Sequence, residues 1–391
     1  MPGWIYVLAL GAFGLITTEL GIIGILPQLS QAFGVSIQTC AWLLSGFALT
    51  IALAGPGMTL LFSSVNRKVS LCCVLALFVV SNIGSAMAPG FGWLLALRIL
   101  PALIHPVFWS VAMSVAAASV PPARSSQAVS IVFTGMSAGI VFGVPLATFC
   151  ASQGSWRTAF LVFGALNLIA LAAHIFMLPR LPVAARTPLV SQLQILRKGV
   201  LWWNLALQVM LTAAVFSIYG FMAEYLARAA HMSPALISLM MLLFGVAGIG
   251  GTLAAGRLMS RHLDRVVGLF LVSFAPILVL LFLLAQDRPA AIVLVIMWGA
   301  VHAAAVPLCQ ALVVRAAPET PEFSNSLFNS FGNIGITCGT LAGGQAIALA
   351  GVRALPLASM ALLLAAAIVF VAERRRYGRH GCSANASARG I

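Results

Sequence analysis

Acid is nearly absent from this chain: its 391 residues hold seven Asp and Glu against 21 Lys and Arg, and charged residues of either sign make up only 7%. A net charge of +14 would point to nucleic acid if the cations formed a patch on a soluble domain. They are scattered between long apolar runs instead, which excludes nucleic acid as a partner. Hydrophobic residues reach 62% and mean hydropathy +1.08, outside the range of a soluble domain of this length. The composition is that of an all-α polytopic membrane protein whose surroundings are the lipid bilayer. No Lys or Arg precedes the first apolar run and no small-residue cleavage pattern closes it, so it reads as a retained first helix and not a signal peptide. The seven cysteines are odd in number and lie mostly inside apolar runs, as with Cys72, Cys73, Cys309 and Cys338. No disulfide framework or metal-ligand spacing is present; only Cys40 and Cys150 fall near one face of the expected topology. A Walker loop is also missing, so ATP does not act directly. Neither cofactor nor metal is expected.

Taking ~20 apolar residues per crossing, twelve spans are expected, at 4–26, 41–62, 69–88, 93–117, 127–150, 159–178, 201–227, 235–258, 266–285, 290–314, 325–349 and 354–372. The loops are short except for PRLPVAARTPLVSQLQILRK, residues 179–198, whose prolines and cations suit a connection between two halves. The expected organisation is a six-helix half at 1–178, a cytoplasmic linker at 179–200, a second six-helix half at 201–372 and a basic cytoplasmic tail at 373–391. Lys and Arg stay on the cytoplasmic side of a membrane. With both termini inside, that side collects Arg67, Lys68, Arg124, Arg197, Lys198, Arg261, Arg265, Arg315, Arg374, Arg375 and Arg376 among others. The outer side receives only Arg157, Arg228, Arg288 and Arg353, and Arg98 falls inside the fourth span.

The halves repeat one another. GILPQLSQAFGVSIQ (24–38) and FMAEYLARAAHMSPA (221–235) each close one span and open the next with a serine, Ser36 or Ser233, placed to cap the incoming helix. Gly135, Gly139 and Gly143 in span 5 correspond to Gly335, Gly339 and Gly343 in span 11. Small residues at every fourth position make one smooth face that lets another helix approach closely in lipid. Duplicated halves of this kind point to a transporter whose site lies between them.

Several stretches carry a resemblance. ALRILPALIHPVFWSV (96–111), TGMSAGIVFGVPLATF (134–149) and SLFNSFGNIGITCGTLAGG (326–344) look like the major facilitator superfamily, within it the bacterial drug:proton antiporter group, and most of all its arabinose-type sugar efflux members. GVP at 143–145 is similar to the Gly-Pro antiporter signature of span 5, with Pro145 as its proline and Ala147 where a glycine is expected. The loop signature between spans 2 and 3 is reduced to TLLFSSVNRK (59–68), which keeps Leu61, Arg67 and Lys68. Its repeat GRLMSR (256–261) keeps Gly256, Leu258 and Arg261. Both copies lack the acid that helps latch the inner gate in relatives; Ser260 stands in its place in the second. The resemblance implies the major facilitator fold, an inner-membrane location, a monomer, and exchange of a small-molecule substrate for protons. Arg67, Lys68 and Arg261 are the implied gating positions.

Within the spans one acid stands out. Glu19 interrupts LITTELGIIGIL (15–26), where a charge costs ~2.5 to 3.5 kcal/mol even on lenient insertion scales. At ~1.5 Å per residue Glu19 and Arg98 come to similar depths, ~9 and ~8 Å below the outer surface of a ~30 Å core. His105 lies seven residues after Arg98 and so on the same helix face. In the family both spans border the central cavity, so Glu19, Arg98 and His105 are expected to form one polar cluster, either trading protons or acting as a fixed ion pair that sets packing. Glu224 in span 7 matches an acidic position of the sugar-efflux relatives, as a second carboxylate or a sugar ligand. Asn329 and Asn333 share one face of span 11 and offer amides suited to hydroxyl-rich ligands. Phe108, Trp109, Tyr219, His302 and Gln310 complete the candidate substrate contacts, each with interhelical packing as its alternative. GMSAG (135–139) fits a nucleophile pattern, but that pattern needs a strand–turn–helix elbow, and here it falls inside a span. No enzyme is expected. The reading is a proton-coupled efflux transporter of a small polar molecule such as a sugar. A broad drug exporter or a purine nucleoside exporter is the alternative within transport, and a non-transporting membrane sensor the alternative outside it.

Overall fold

The computed structural model describes residues 1–62, 65–121, 124–179, 194–317 and 321–387. Most of the 179–200 linker therefore lies outside the described residues, as do Ser63 and Ser64. Among the described residues every regular element is helical. That is the expected solution where lipid offers the backbone no hydrogen-bond partner.

Among the described residues eleven helices are long and apolar enough to cross a membrane, and they supply every expected span but the eleventh. The eleventh is Pro321–Ala350, 30 residues long but diluted by Asn325, Asn329, Asn333, Thr337, Thr340 and Gln345. The twelve together are an all-α arrangement of two six-helix halves. Several boundaries differ from the expected ones. Span 1 is Trp4–Gly21 followed by a 3-10 turn at Ile22–Gly24 and a short helix, Leu26–Phe33. Span 7 ends at Tyr219, and a short helix, Met222–Arg228, follows. Spans 8 and 9 run together as Pro234–Leu283 with a kink at His262. Span 10 is interrupted between His302 and Ala305, and the last helix continues from Leu355 to Ser387, through the stretch expected as a separate tail. Apolar content marks where a chain can sit in lipid; it does not mark these breaks, because both sides of each break are equally apolar.

The repeat is physical. After each short helix the chain takes a left-handed conformation, at Gly34 (φ 62°) and at His231 (φ 50°), 197 residues apart. Two residues later Ser36 accepts from the Thr39 amide at 3.1 Å and Ser233 from the Leu236 amide at 3.4 Å, so both expected caps form. The glycine faces also pair as duplicates. A Cβ added at Gly135, Gly139 or Gly143 would run into the span 1 main chain at Ala9, Phe13 or Thr17. One at Gly335, Gly339 or Gly343 would meet span 7 at Val209, Ala213 or Ser217. Every partner pair is separated by 200 residues, as the glycines are. Pro145 sits within span 5, on the same helix.

One hydrophobic core runs through both halves, and its members from the first half all lie away from the termini, between Ile16 and Leu44, Ala86 and Leu94, and Val144 and Phe163. Toward the termini the halves have cores of their own, one bounded by Ile5 and Leu178 and one built from Ile195, Leu201, Leu205, Val313 and Ala317. Polar contacts between the halves follow the same division: Thr337 donates to the Ser45 carbonyl at 3.1 Å and Thr148 to Met241 Sδ at 3.3 Å. The halves are thus joined on the face remote from the termini and separate toward the terminal face.

Candidate functional site

Glu19, Arg98 and His105 come together as expected, all buried, with Arg98 only 1% exposed. Their pairing differs from a simple Glu–Arg ion pair. Arg98 Nη1 donates to the Thr18 carbonyl at 2.8 Å and Nη2 to the Glu19 carbonyl at 3.2 Å, with the guanidinium 5.0 Å from the centre of the Phe47 ring. These carbonyls lie in the last turn of span 1, where the helix tightens into the 3-10 turn and carbonyls lose regular partners. The Glu19 carboxylate turns instead to His105, Oε2 to Nε2 at 3.3 Å. The same Nε2 accepts the indole N–H of Trp109 at 3.0 Å. Phe47 and Phe78 pack against the imidazole with ring centres 5.8 and 6.0 Å away.

Behind the carboxylate is a layer that the sequence reading missed. Thr18 Oγ1 accepts from Asn82 Nδ2 at 3.1 Å and from Asn167 Nδ2 at 2.9 Å, which ties spans 3 and 6 to span 1. The signal was available: an amide inside an apolar run invites the same question as Glu19. Phe108 packs on Trp109 and on His174 of span 6, so it supports the site from within the core.

In the second half Tyr219 and His302 also meet, ring centres 4.6 Å apart. They are joined by Phe244, stacked on Tyr219 at 5.4 Å and 5.0 Å from His302, with Trp298 at 4.9 Å from Phe244. Phe244 and Trp298 were not anticipated. The two clusters occupy matching seats. Phe47 and Phe244, like His105 and His302, are 197 residues apart; Glu19 and Tyr219 are 200 apart, the offset that the glycine faces establish for spans 1 and 7. The first half therefore holds acid, histidine and phenylalanine where the second holds phenol, histidine and phenylalanine.

The remaining candidates lie elsewhere. Glu224 is outside this cluster: it is buried in the short helix after span 7, 3.1 Å from the exposed Arg228, and that helix packs against Ile22–Gly24 and Leu26–Phe33 of the other half. Gln310 donates to Asn325 at 3.0 Å, which makes it a tie between spans 10 and 11. Asn333 spends its N–H on the Asn329 carbonyl at 2.9 Å, while the Asn329 side chain is exposed. At the terminal face Lys68 donates to the Leu178 carbonyl at 2.6 Å and so closes the end of span 6. Arg67 is half-buried at the start of span 3, and the side chains of Ser260 and Arg261 lie outside the described residues. The second half does have a carboxylate in this region: Asp264 accepts from Arg315 and from Arg374, each at 2.7 Å. It lies four residues past Ser260, beyond the GRLMSR signature. Ser137 of GMSAG is in mid-helix with Gly135 and Gly139 pressed on span 1, so no elbow forms.

Two duplicated six-helix halves, closed on one face and lined at their junction by buried polar groups, define a membrane transporter and not an enzyme. The chain belongs to the Major Facilitator Superfamily, whose sequence pattern matches residues 8–320 and 205–386. It is 32% identical over 375 residues to the inner membrane transport protein YdhP of Escherichia coli strain K12, covering 94% of this chain and 95% of that one. Among solved structures it resembles a bacterial homologue of the human lysosomal transporter Spinster in an inward-facing, unoccupied conformation (TM-score 0.76, 18% identity, 96% and 98% of the two chains). It also resembles a D-xylose–proton symporter (0.77, 15%, 93% and 96%) and the nucleoside transporter NupG (0.73, 12%, 94% and 98%).

Proposed function

We propose that the protein is a proton-coupled antiporter of the inner membrane that exports a small polar molecule such as a sugar by alternating access, with Glu19 and His105 as the proton seat. The observation that carries this reading is the 3.3 Å approach of a buried carboxylate to a buried imidazole, beside an arginine whose hydrogen bonds go to main-chain carbonyls. Because both terminal nitrogens of Arg98 are held by main-chain carbonyls and not by the carboxylate, Glu19 can gain and lose a proton while its neighbour stays in place. With the termini in the cytoplasm, as loop charge favours, the face on which the halves separate is the inner one. One proton crossing ~100 mV releases ~2.3 kcal/mol, enough for about a fifty-fold gradient of a neutral substrate.

The cluster of Tyr219, Phe244, Trp298 and His302 favours a second reading of the cargo: a planar or amphipathic molecule such as a purine nucleoside or a lipophilic drug. Efflux from cells, screened across sugars, purine nucleosides and lipophilic drugs, with Glu19→Gln as the uncoupled control, tests both. Proton-driven efflux that is undiminished in Glu19→Gln ends the coupling proposal, and the responding class of compound chooses between the cargoes.

A further inference from the structure

The proton seat has two claimants on one nitrogen. His105 Nε2 accepts the Trp109 indole N–H at 3.0 Å while the Glu19 carboxylate lies 3.3 Å away without a hydrogen bond of its own at Oε2. An imidazole nitrogen has a single in-plane position, either a lone pair or a hydrogen. We propose that Trp109 reports the proton state of the Glu19–His105 pair: its indole is held while Nε2 is a free acceptor and is released when a proton enters the pair.

Both protonated forms have this effect. A protonated Glu19 donates from Oε2 to Nε2 and occupies the lone pair. An imidazolium donates from Nε2 to the carboxylate and leaves no lone pair. In either case one proton is added, it lies between Oε2 and Nε2, and the indole N–H loses its acceptor. Trp109 is well placed to transmit the change, since it packs against both the core shared by the halves and the first half's own core. The groups around the pair leave it as the element that titrates. Span 4 itself brings Arg98, moored on carbonyls. Spans 2 and 3 bring Phe47 and Phe78, and span 5 brings no Asp, Glu, His, Lys or Arg. Span 6 brings His174, whose Nδ1 is 2.7 Å from the Ala170 carbonyl and which faces Phe108. The sign follows. Cargo that binds with Trp109 held back favours the proton-free pair, so cargo and proton exclude one another, as exchange requires.

This inference rests on the proton seat proposed above, and its test needs no cargo. The full-length protein in liposomes, labelled with 5-fluorotryptophan, is titrated over about pH 5 to 9. The Glu19 carboxyl is followed by its infrared band, assigned by its loss in Glu19→Gln. The Trp109 fluorine resonance, one of eight tryptophans, is assigned by its loss in Trp109→Phe, or in Trp109→Tyr should the Phe variant not fold. The two signals should share a midpoint, and the fluorine signal should stop titrating in Glu19→Gln. Trp109→Phe removes a hydrogen bond to the proton-free form, so the pair should bind its proton roughly three- to tenfold more tightly, moving the midpoint up by about half to one pH unit. Trp109→Gln, which keeps an N–H donor, should fall between. A carboxyl that titrates while Trp109 is blind to pH, with no shift in Trp109→Phe, overturns this inference and leaves the proton seat standing. A pair in which neither the Glu19 carboxyl nor the His105 ring titrates overturns both.

Discussion

Replacing Arg98 and Glu19 singly and together separates mooring from ion pairing. Arg98 makes two charge-assisted hydrogen bonds to the carbonyls of Thr18 and Glu19, and bonds of this type contribute about 1.5 to 3 kcal/mol each. Arg98→Ala removes both, so it should cost about 3 to 5 kcal/mol. Glu19→Gln leaves both acceptors untouched, because they belong to the main chain, and its side chain still reaches His105. Its cost should stay below about 1 kcal/mol. Since the two side chains share no hydrogen bond, the double variant should resemble Arg98→Ala, with a coupling energy under about 1 kcal/mol. Arg98→Lys keeps the charge but loses the planar fork that spans two carbonyls, and should recover only part of the loss. Thermal unfolding of purified protein in detergent, with ligand-free samples at one pH, measures the whole cycle. A Glu19→Gln loss as large as that of Arg98→Ala, or a coupling energy above about 2 kcal/mol, would show that carboxylate and guanidinium depend on each other directly and would refute the mooring.

Gly139→Leu and Gly339→Leu should each lower folded yield and transport, because a Cβ alone would come within 2.8 Å of Ile16 Cβ or of Ala213 Cα. Gly92→Ala, with nothing within 4 Å, should behave as wild type, and equal expression of all three would show that the glycine faces are incidental. His231→Gly should stabilise by about 1 kcal/mol, since a left-handed non-glycine residue carries about that strain, while Gly34→Ala should destabilise by a similar amount; thermal shifts of opposite sign are the expected result. Asp264→Asn breaks both bridges that tie the turn between spans 8 and 9 to spans 10 and 12. The arginines are over 40% exposed, so the loss should be only about 1 kcal/mol and should shrink in high salt. A loss unchanged by salt would point to a packing role.

How much of this was legible depended on whether the signal was a pattern or an atom. Apolar runs placed the spans, and four-residue glycine spacing together with Ser36 and Ser233 announced the duplication, since these are properties of residue type at fixed intervals. Helix rise and opposite running directions were enough to bring Glu19 and Arg98 to one depth. They could not say that a guanidinium beside a helix end would choose its carbonyls over the carboxylate, because that choice depends on the 3-10 turn at Ile22–Gly24, and nothing in GIIG distinguishes a turn from a continuing helix. Asp264 lies outside the expected signature, and Asn82 and Asn167 are single amides in apolar runs with no spacing that marks them as partners of Thr18.

The mooring of Arg98 has an electrical consequence. Its charge is fixed, and Glu19 and Arg98 are the only Asp, Glu, Lys or Arg in the interior of the first-half spans. With Glu19 ionised that interior is neutral, and with Glu19 protonated it carries one positive charge. On the proposed cycle, membrane voltage therefore does work only on the limb in which the proton-loaded protein returns, and a neutral cargo leaves on a limb the field does not touch. Current recorded across a reconstituted membrane should then grow with voltage while proton return limits turnover, and should become voltage-independent once cargo release is the slower step.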